Sequence, residues 1–180
     1  MGPVTRRSRL FDVAITMVIL AVLYGTLSHY LSQMSESAER AAMQTTLMQI
    51  QRHVTLNMAQ RSVKGEGGAA NAAASSNPCE WFDTPPNGYQ GEIARLADLP
   101  QTDKRAVWYF DASTRHLVYL VNRGDHLIYQ DQGSEAKRLQ ILRFVLNLSS
   151  NTADNRGIQT GFNATLSAVD QYRWDMDTSD

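Results

Sequence analysis

Between Val13 and Ser35 the chain carries no Asp, Glu, Lys or Arg, an uninterrupted run of 23 residues. As a helix this run would be about 34 Å long at ~1.5 Å per residue, enough to cross a hydrocarbon layer of ~30 Å. It is built mainly from Val, Ile, Leu, Ala and Met, with Gly25 and no proline. A helix of that composition satisfies its own backbone donors and acceptors, as lipid requires. A secretory signal has a shorter apolar core of roughly 7–15 residues and a small-x-small cleavage site, and no such site follows Tyr24, Thr26, His29 and Tyr30. A core helix of a globular protein would show a polar stripe, which Val13–Leu23 almost entirely lacks. The expectation is an uncleaved transmembrane helix over residues 10–33. Its anchor residues are Leu10, Val13, Ile15, Val18, Ile19, Leu20, Val22, Leu23 and Leu27.

Arg6, Arg7 and Arg9 precede this run, against Asp12 alone. Excess positive charge stays on the cytoplasmic side, so residues 1–9 read as a short basic cytoplasmic tail and the rest of the chain as external. Asp12 sits about one turn into the apolar segment, either as an intramembrane acid or as an interface acid hydrated beside Arg9.

Beyond the membrane the pattern becomes amphipathic. Met43, Leu47, Ile50, Val54 and Met58 recur at spacings of three and four, while Glu36, Glu39, Arg40, Gln44, Gln51 and Arg52 fill other positions. This predicts that the helix continues over 34–62, with its stripe packed on a sheet or a partner and Glu39 on the wet face. Gly65, Gly67, Gly68, a run of alanines and Ser75-Ser76-Asn77-Pro78 then read as a flexible loop over 63–78.

Residues 79–180 read as strands. Ala106–Asp111 and His116–Asn122 are aromatic and β-branched, separated by Ala-Ser-Thr-Arg, a hairpin-sized connection. Asn122-Arg-Gly-Asp125 reads as a turn before a short stretch at Leu127–Gln130. Leu142, Phe144, Leu146 and Leu148 alternate with Arg143 and Asn147, which reads as a strand over 139–148 with a helix as the alternative. Phe162, Ala164, Leu166 and Ala168 alternate with polar residues before Tyr172-Arg-Trp174. The fold class expected is α+β: one N-terminal transmembrane helix extending into a long amphipathic helix packed on a small antiparallel sheet.

The segment Asn77-Pro-Cys-Glu-Trp-Phe-Asp-Thr-Pro-Pro-Asn-Gly-Tyr-Gln-Gly-Glu92, with Trp108-Tyr-Phe-Asp111 and Leu117-Val-Tyr119, resembles motifs of the type IV pilin and type II secretion pseudopilin family. Within it, the chain is most similar to inner-membrane biogenesis components of the mannose-sensitive haemagglutinin (MSHA) type of pilus. The matching residues are Asn77, Pro78, Pro85, Pro86, Asn87, Tyr89, Gly91, Glu92, Trp108, Tyr109, Phe110, Asp111, Leu117, Val118 and Tyr119. The resemblance implies a pilin-like fold and a bacterial inner-membrane protein with a periplasmic domain. Its partners would be the lipid bilayer and other pilus or secretion-machine membrane proteins or pilins. True prepilins place a glycine before the cleavage point and a glutamate at the fifth mature position. Here Leu10 precedes Phe11 and the nearby acid is Asp12, so prepilin-peptidase processing is not expected. Physically, Pro85-Pro86 and Asn87-Gly88 suit a turn, and the aromatic residues offer large apolar surface to the helix.

Chemistry is sparse. Seventeen basic and eighteen acidic residues give a net charge of −1, unlike a nucleic-acid binder, which needs a basic excess. With one cysteine the chain makes no internal disulfide, and the best use of Cys79 would be an intermolecular one. His29, His53, His116 and His126 lack metal-ligand spacing, and no nucleophile or phosphate-binding motif is present. The acids Asp170, Asp175, Asp177 and Asp180 read as a solvated tail. No catalytic residue, metal, cofactor or small-molecule substrate is expected. The leading reading is a non-enzymatic membrane-anchored component of an MSHA-type pilus or type II secretion-like machine. The alternatives are a minor pilin or pseudopilin in the filament, and an anchored periplasmic ligand-binding or sensor domain.

Overall fold

The computed structural model describes residues 4–64, 76–100, 104–131, 134–152 and 159–175. Helix α1, Val4–Val63, is continuous. No proline interrupts it, and Thr16, Thr26, Thr45, Thr46 and Thr55 return their hydroxyls to carbonyls three or four residues back. The chain divides into two compact units, residues 1–38 and 39–180.

In the first unit every described side chain from Phe11 to Leu31 is exposed. This is a helix near the N-terminus long and apolar enough to cross a membrane. Among its described residues the second unit has seven strands: β1 Tyr89–Ile93, β2 Val107–Asp111, β3 His116–Leu120, β4 Leu127–Tyr129, β5 Ile141–Thr152, β6 Gln159–Ala168 and β7 Tyr172–Trp174. A short helix, α2 (Glu135–Leu139), precedes β5. Ser134 caps it and Gln140 ends it in the left-handed conformation.

The main sheet has the order β1-β2-β3-β5-β6, and β4 and β7 form a separate antiparallel ribbon. The architecture is α+β, but the expected antiparallel sheet is mixed, because β1 pairs parallel to β2. The reason is local. Tyr89 N–H closes a turn on the Pro86 carbonyl with Gly88 at φ 78°, and the Gly88 carbonyl accepts from Trp108 N–H at 2.9 Å. The chain therefore enters the sheet edge running with β2. A register irregularity between Tyr89 and Glu92 is relieved by Gly91 at φ 125°.

β2 and β3 form the expected hairpin, Val107 opposite Leu120 and Asp111 opposite His116. Paired residues share a face, so Trp108, Tyr119 and Leu142 line one side, as do Phe110, Leu117 and Phe144. Met43, Ile50, Val54 and Met58 of α1 belong to the same buried core cluster, with Leu47 packed against it. The opposite sheet face carries Val107, Tyr109, Val118, Leu120 and Ile141 together with the polar Asp111, His116 and Arg143, and β2 is buried throughout.

Candidate functional site

The anchor residues Val13, Ile15, Val18, Ile19, Leu20, Val22, Leu23 and Leu27 are all exposed, and the Leu10 side chain lies outside the described residues. These side chains are exposed all round the helix, which by length and composition could cross a membrane. Asp12 is exposed on the same helix. The stripe residues Met43, Ile50, Val54 and Met58 are each at most 2% exposed.

Of the motif residues, Asn77, Tyr89 and Glu92 meet in one hydrogen-bonded group, while Trp108–Asp111 and Leu117–Tyr119 lie along the inner strands β2 and β3. Asn77 is buried, and its Oδ1 accepts from Cys79 N–H, capping the 3-10 turn Pro78–Trp81. Its Nδ2 donates to Tyr89 Oη at 2.7 Å and to Glu92 Oε2 at 3.3 Å. Asn77 and Pro78 are thus part of the folded unit, which corrects their place in the expected loop over 63–78; residues 65–75 of that loop lie outside the described residues. Pro86 is buried, whereas Pro85, Asn87 and Glu92 are exposed. Burial pushes the Tyr89 hydroxyl up to about 12.

The turn then docks on α1. His53 stacks on Phe82 at 3.9 Å between ring centroids, and its Nε2 lies 2.7 Å from the Trp81 carbonyl oxygen. The Arg61 guanidinium sits 5.4 Å over the Trp81 ring. Cys79, at 2% exposure, is sealed beneath this turn, and burial followed by the nearby Glu80 raises its thiol to about 12. Burial and a raised pKa both work against an intermolecular disulfide at Cys79.

Glu39 is the largest departure. Rather than facing water, it accepts Tyr119 Oη–H at 3.0 Å and Asn122 N–H at 2.7 Å through Oε1, and Arg123 N–H at 2.8 Å through Oε2. The carboxylate thereby locks the turn after β3 to α1. Asp111, which is buried, accepts from Ser113 N–H, Ser113 Oγ–H and Thr114 N–H, closing the Ala112–Arg115 loop. Burial alone would raise its carboxyl, but these bonds prevail and hold it below the usual range.

A second polar group lies where β5 meets the end of β6. Asp170 takes the Arg143 Nε–H at 3.0 Å and the Arg143 backbone N–H at 3.1 Å, and its side chain is only 7% exposed. Asp170 is therefore a buried ion-pair partner and not part of a solvated tail; Asp177 and Asp180 lie outside the described residues. His116 is nearby, with its Nδ1 buried and unpartnered. Burial, then Arg143, depress its basicity against the opposing pull of Asp111 and Asp170. Among the described residues no three His, Cys, Asp or Glu side chains converge as a metal site.

Sequence reasoning missed Glu39, the stacking of His53 and the Arg143–Asp170 pair. Glu39 is one turn before Met43 on the stripe side, a placement that could have flagged it. Nothing local marks Arg143 and Asp170, which are 27 residues apart. Comparison with known protein families, characterised proteins and solved structures finds no match.

Proposed function

We propose that this chain is a non-enzymatic, single-pass inner-membrane protein of a bacterial type IV pilus, of MSHA type, or of a related type II secretion machine. One observation carries the reading. The same helix that is exposed and apolar through Leu31 becomes, from Met43 onward, a buried wall of an α+β domain. A helix so used is an anchor and a structural member at once, which is how a pilin-like protein is organised. The motif residues support the reading too, since they serve packing and turn geometry rather than chemistry.

In this reading Arg6, Arg7 and Arg9 hold the N-terminus in the cytoplasm and the second unit is periplasmic. The anchor packs with other membrane helices of the machine. The domain meets periplasmic partners. Its filament-subunit alternative requires cleavage near Phe11, for which the preceding glycine is lacking.

The test combines topology with processing and partners. A periplasm-dependent reporter fused after Asp180 is expected to be active and a cytoplasm-dependent one silent. Mass spectrometry of the membrane-purified chain is expected to find Arg6–Arg9 still attached. Mild crosslinking in the native membrane should capture pilus or secretion-machine proteins. A cytoplasmic fusion signal overturns the orientation, a new N-terminus at Phe11 moves the chain into the filament, and capture of neither class of machine removes the assignment.

A further inference from the structure

The β4–β7 ribbon has an unfinished edge. Gln130 N–H bonds to the Gln171 carbonyl and Asp175 N–H to the His126 carbonyl, while Tyr129 faces Tyr172 and Leu127 faces Trp174. In an antiparallel ladder this arrangement puts Tyr172 and Trp174 at non-hydrogen-bonded pairs. Their main-chain N–H and C=O groups therefore point away from β4, toward the outer edge of β7. Among the described residues no third strand joins the ribbon.

That edge lines a cleft of about 500 Å³. Its other wall comes from α1, through Arg40, Met43 and Gln44, and Arg173 extends from β7 itself. The volume falls within the ~300–1,000 Å³ typical of small-ligand sites. The cleft's charge is positive. Arg40 and Arg173 line it, and the acid that also lines it, Asp170, is already neutralised by Arg143. Arg173 is paired to Asp175 at 3.1 Å, but its own side chain is 69% exposed, and a pair with one partner so open to water contributes little.

We propose that this cleft takes an extended acidic peptide segment of a partner protein, added as a third strand along the outer edge of β7, with its carboxylates held by Arg40 and Arg173. Main-chain pairing gives affinity and the arginines give selectivity, the usual division in strand addition. Alternating donors and acceptors at Tyr172 and Trp174 suit a peptide backbone. A phosphate offers no donor for the two carbonyls. A second copy of this chain paired symmetrically at β7 would set Arg173 against Arg173, which is repulsive. The inference goes beyond the pilus reading and does not depend on it, because binding of a peptide at this edge is measured without any machine present.

The experiment uses the full chain in detergent micelles and the fluorescein-labelled pentapeptide Glu-Val-Glu-Val-Glu, read by anisotropy. Two N-methylated versions of the peptide block alternate sets of backbone amides. Strand addition is expected to lose on the order of tenfold in affinity with one set and little with the other. The Lys-Val-Lys-Val-Lys peptide should bind at least about tenfold more weakly, and R40Q should weaken the acidic peptide while leaving the urea midpoint of the free protein unchanged. Equal loss from both methylation patterns overturns the strand geometry. Equal affinity for the lysine peptide, or no binding at millimolar concentration, overturns the site. Sedimentation showing a dimer that the acidic peptide does not dissolve assigns the edge to a second copy instead and also overturns it.

Discussion

The Glu39 carboxylate accepts the Tyr119 hydroxyl at 3.0 Å across 80 residues of sequence, and the same oxygen takes Asn122 N–H. One side chain of α1 thus fixes both the end of β3 and the turn that leaves it. The Tyr119 hydroxyl is held firmly protonated, by burial first and the adjacent carboxylate second. Removing Glu39 leaves a buried hydroxyl without its acceptor and releases two turn amides. Glu39→Ala is therefore expected to cost about 2 kcal/mol of unfolding free energy, and Tyr119→Phe about 1 kcal/mol. A double-mutant cycle in urea, followed by tryptophan fluorescence of the full chain in micelles, should give a loss smaller than the sum. Strict additivity would show that the two groups act independently.

A carboxylate placed in the stripe tests the core directly. Ile50 and Val54 are at most 1% exposed, while Met48, on the same helix, is 60% exposed. Ile50→Asp is expected to remove cooperative unfolding, since an unpaired buried charge costs several kcal/mol, a large part of the ~5–15 kcal/mol that holds a domain. Met48→Asp should change stability by less than about 0.5 kcal/mol. Comparable losses at the two positions would argue that the helix does not pack on the sheet.

Acid sensitivity should come in two steps. His116 has a folded-state basicity below its ordinary value of 6.5, so the unfolded chain takes up the proton first. The contribution of neutral His116 is complete above pH 6.5 and is lost as pH falls from there through the folded value. Asp111 behaves likewise at lower pH, with its contribution present above 3.8 and lost below its depressed folded value. Urea midpoints measured against pH should flatten just below 6.5 in His116→Gln while the drop below 3.8 remains. An unchanged profile would remove His116 from the account.

Cys79 should be chemically silent while the chain is folded. A thiol pushed up to about 12 and 2% exposed presents almost no thiolate at neutral pH. Iodoacetamide is expected to leave the native protein unlabelled and to add one carbamidomethyl group in urea, read by intact mass. Rapid native labelling would mean that the Pro78–Trp81 turn opens easily.

The Gly88 turn is a place where one methyl group matters. Gly88 has φ 78°, and a Cβ there would lie 3.2 Å from the Ala106 carbonyl oxygen. Gly88→Ala should destabilise by about 1–2 kcal/mol, because an L-residue pays for the left-handed backbone and must also displace β2. Gln90→Ala, exposed two residues later, serves as the control and should change little.

Local chemistry alone determined much of this protein. A membrane-length apolar run, the three-four spacing of Met43 to Met58, and the alternation from Leu142 to Leu148 depend only on periods of 3.6 and 2 and on burial. So did the hairpin between Asp111 and His116, whose turn residues are adjacent in sequence. What tertiary structure decided lies in polar groups and in strand direction. Glu39 reads as a solvent-facing helix residue until β3 offers the Tyr119 phenol and the turn after it, more than eighty residues away, offers two amides. Asp170 reads as a tail acid until β5 brings Arg143 beside it. The parallel entry of β1 depends on where the Gly88 turn meets Trp108. Apolar burial is non-directional and leaves a periodic trace in the chain, whereas a hydrogen bond or ion pair needs one partner at one place, which only the folded chain supplies.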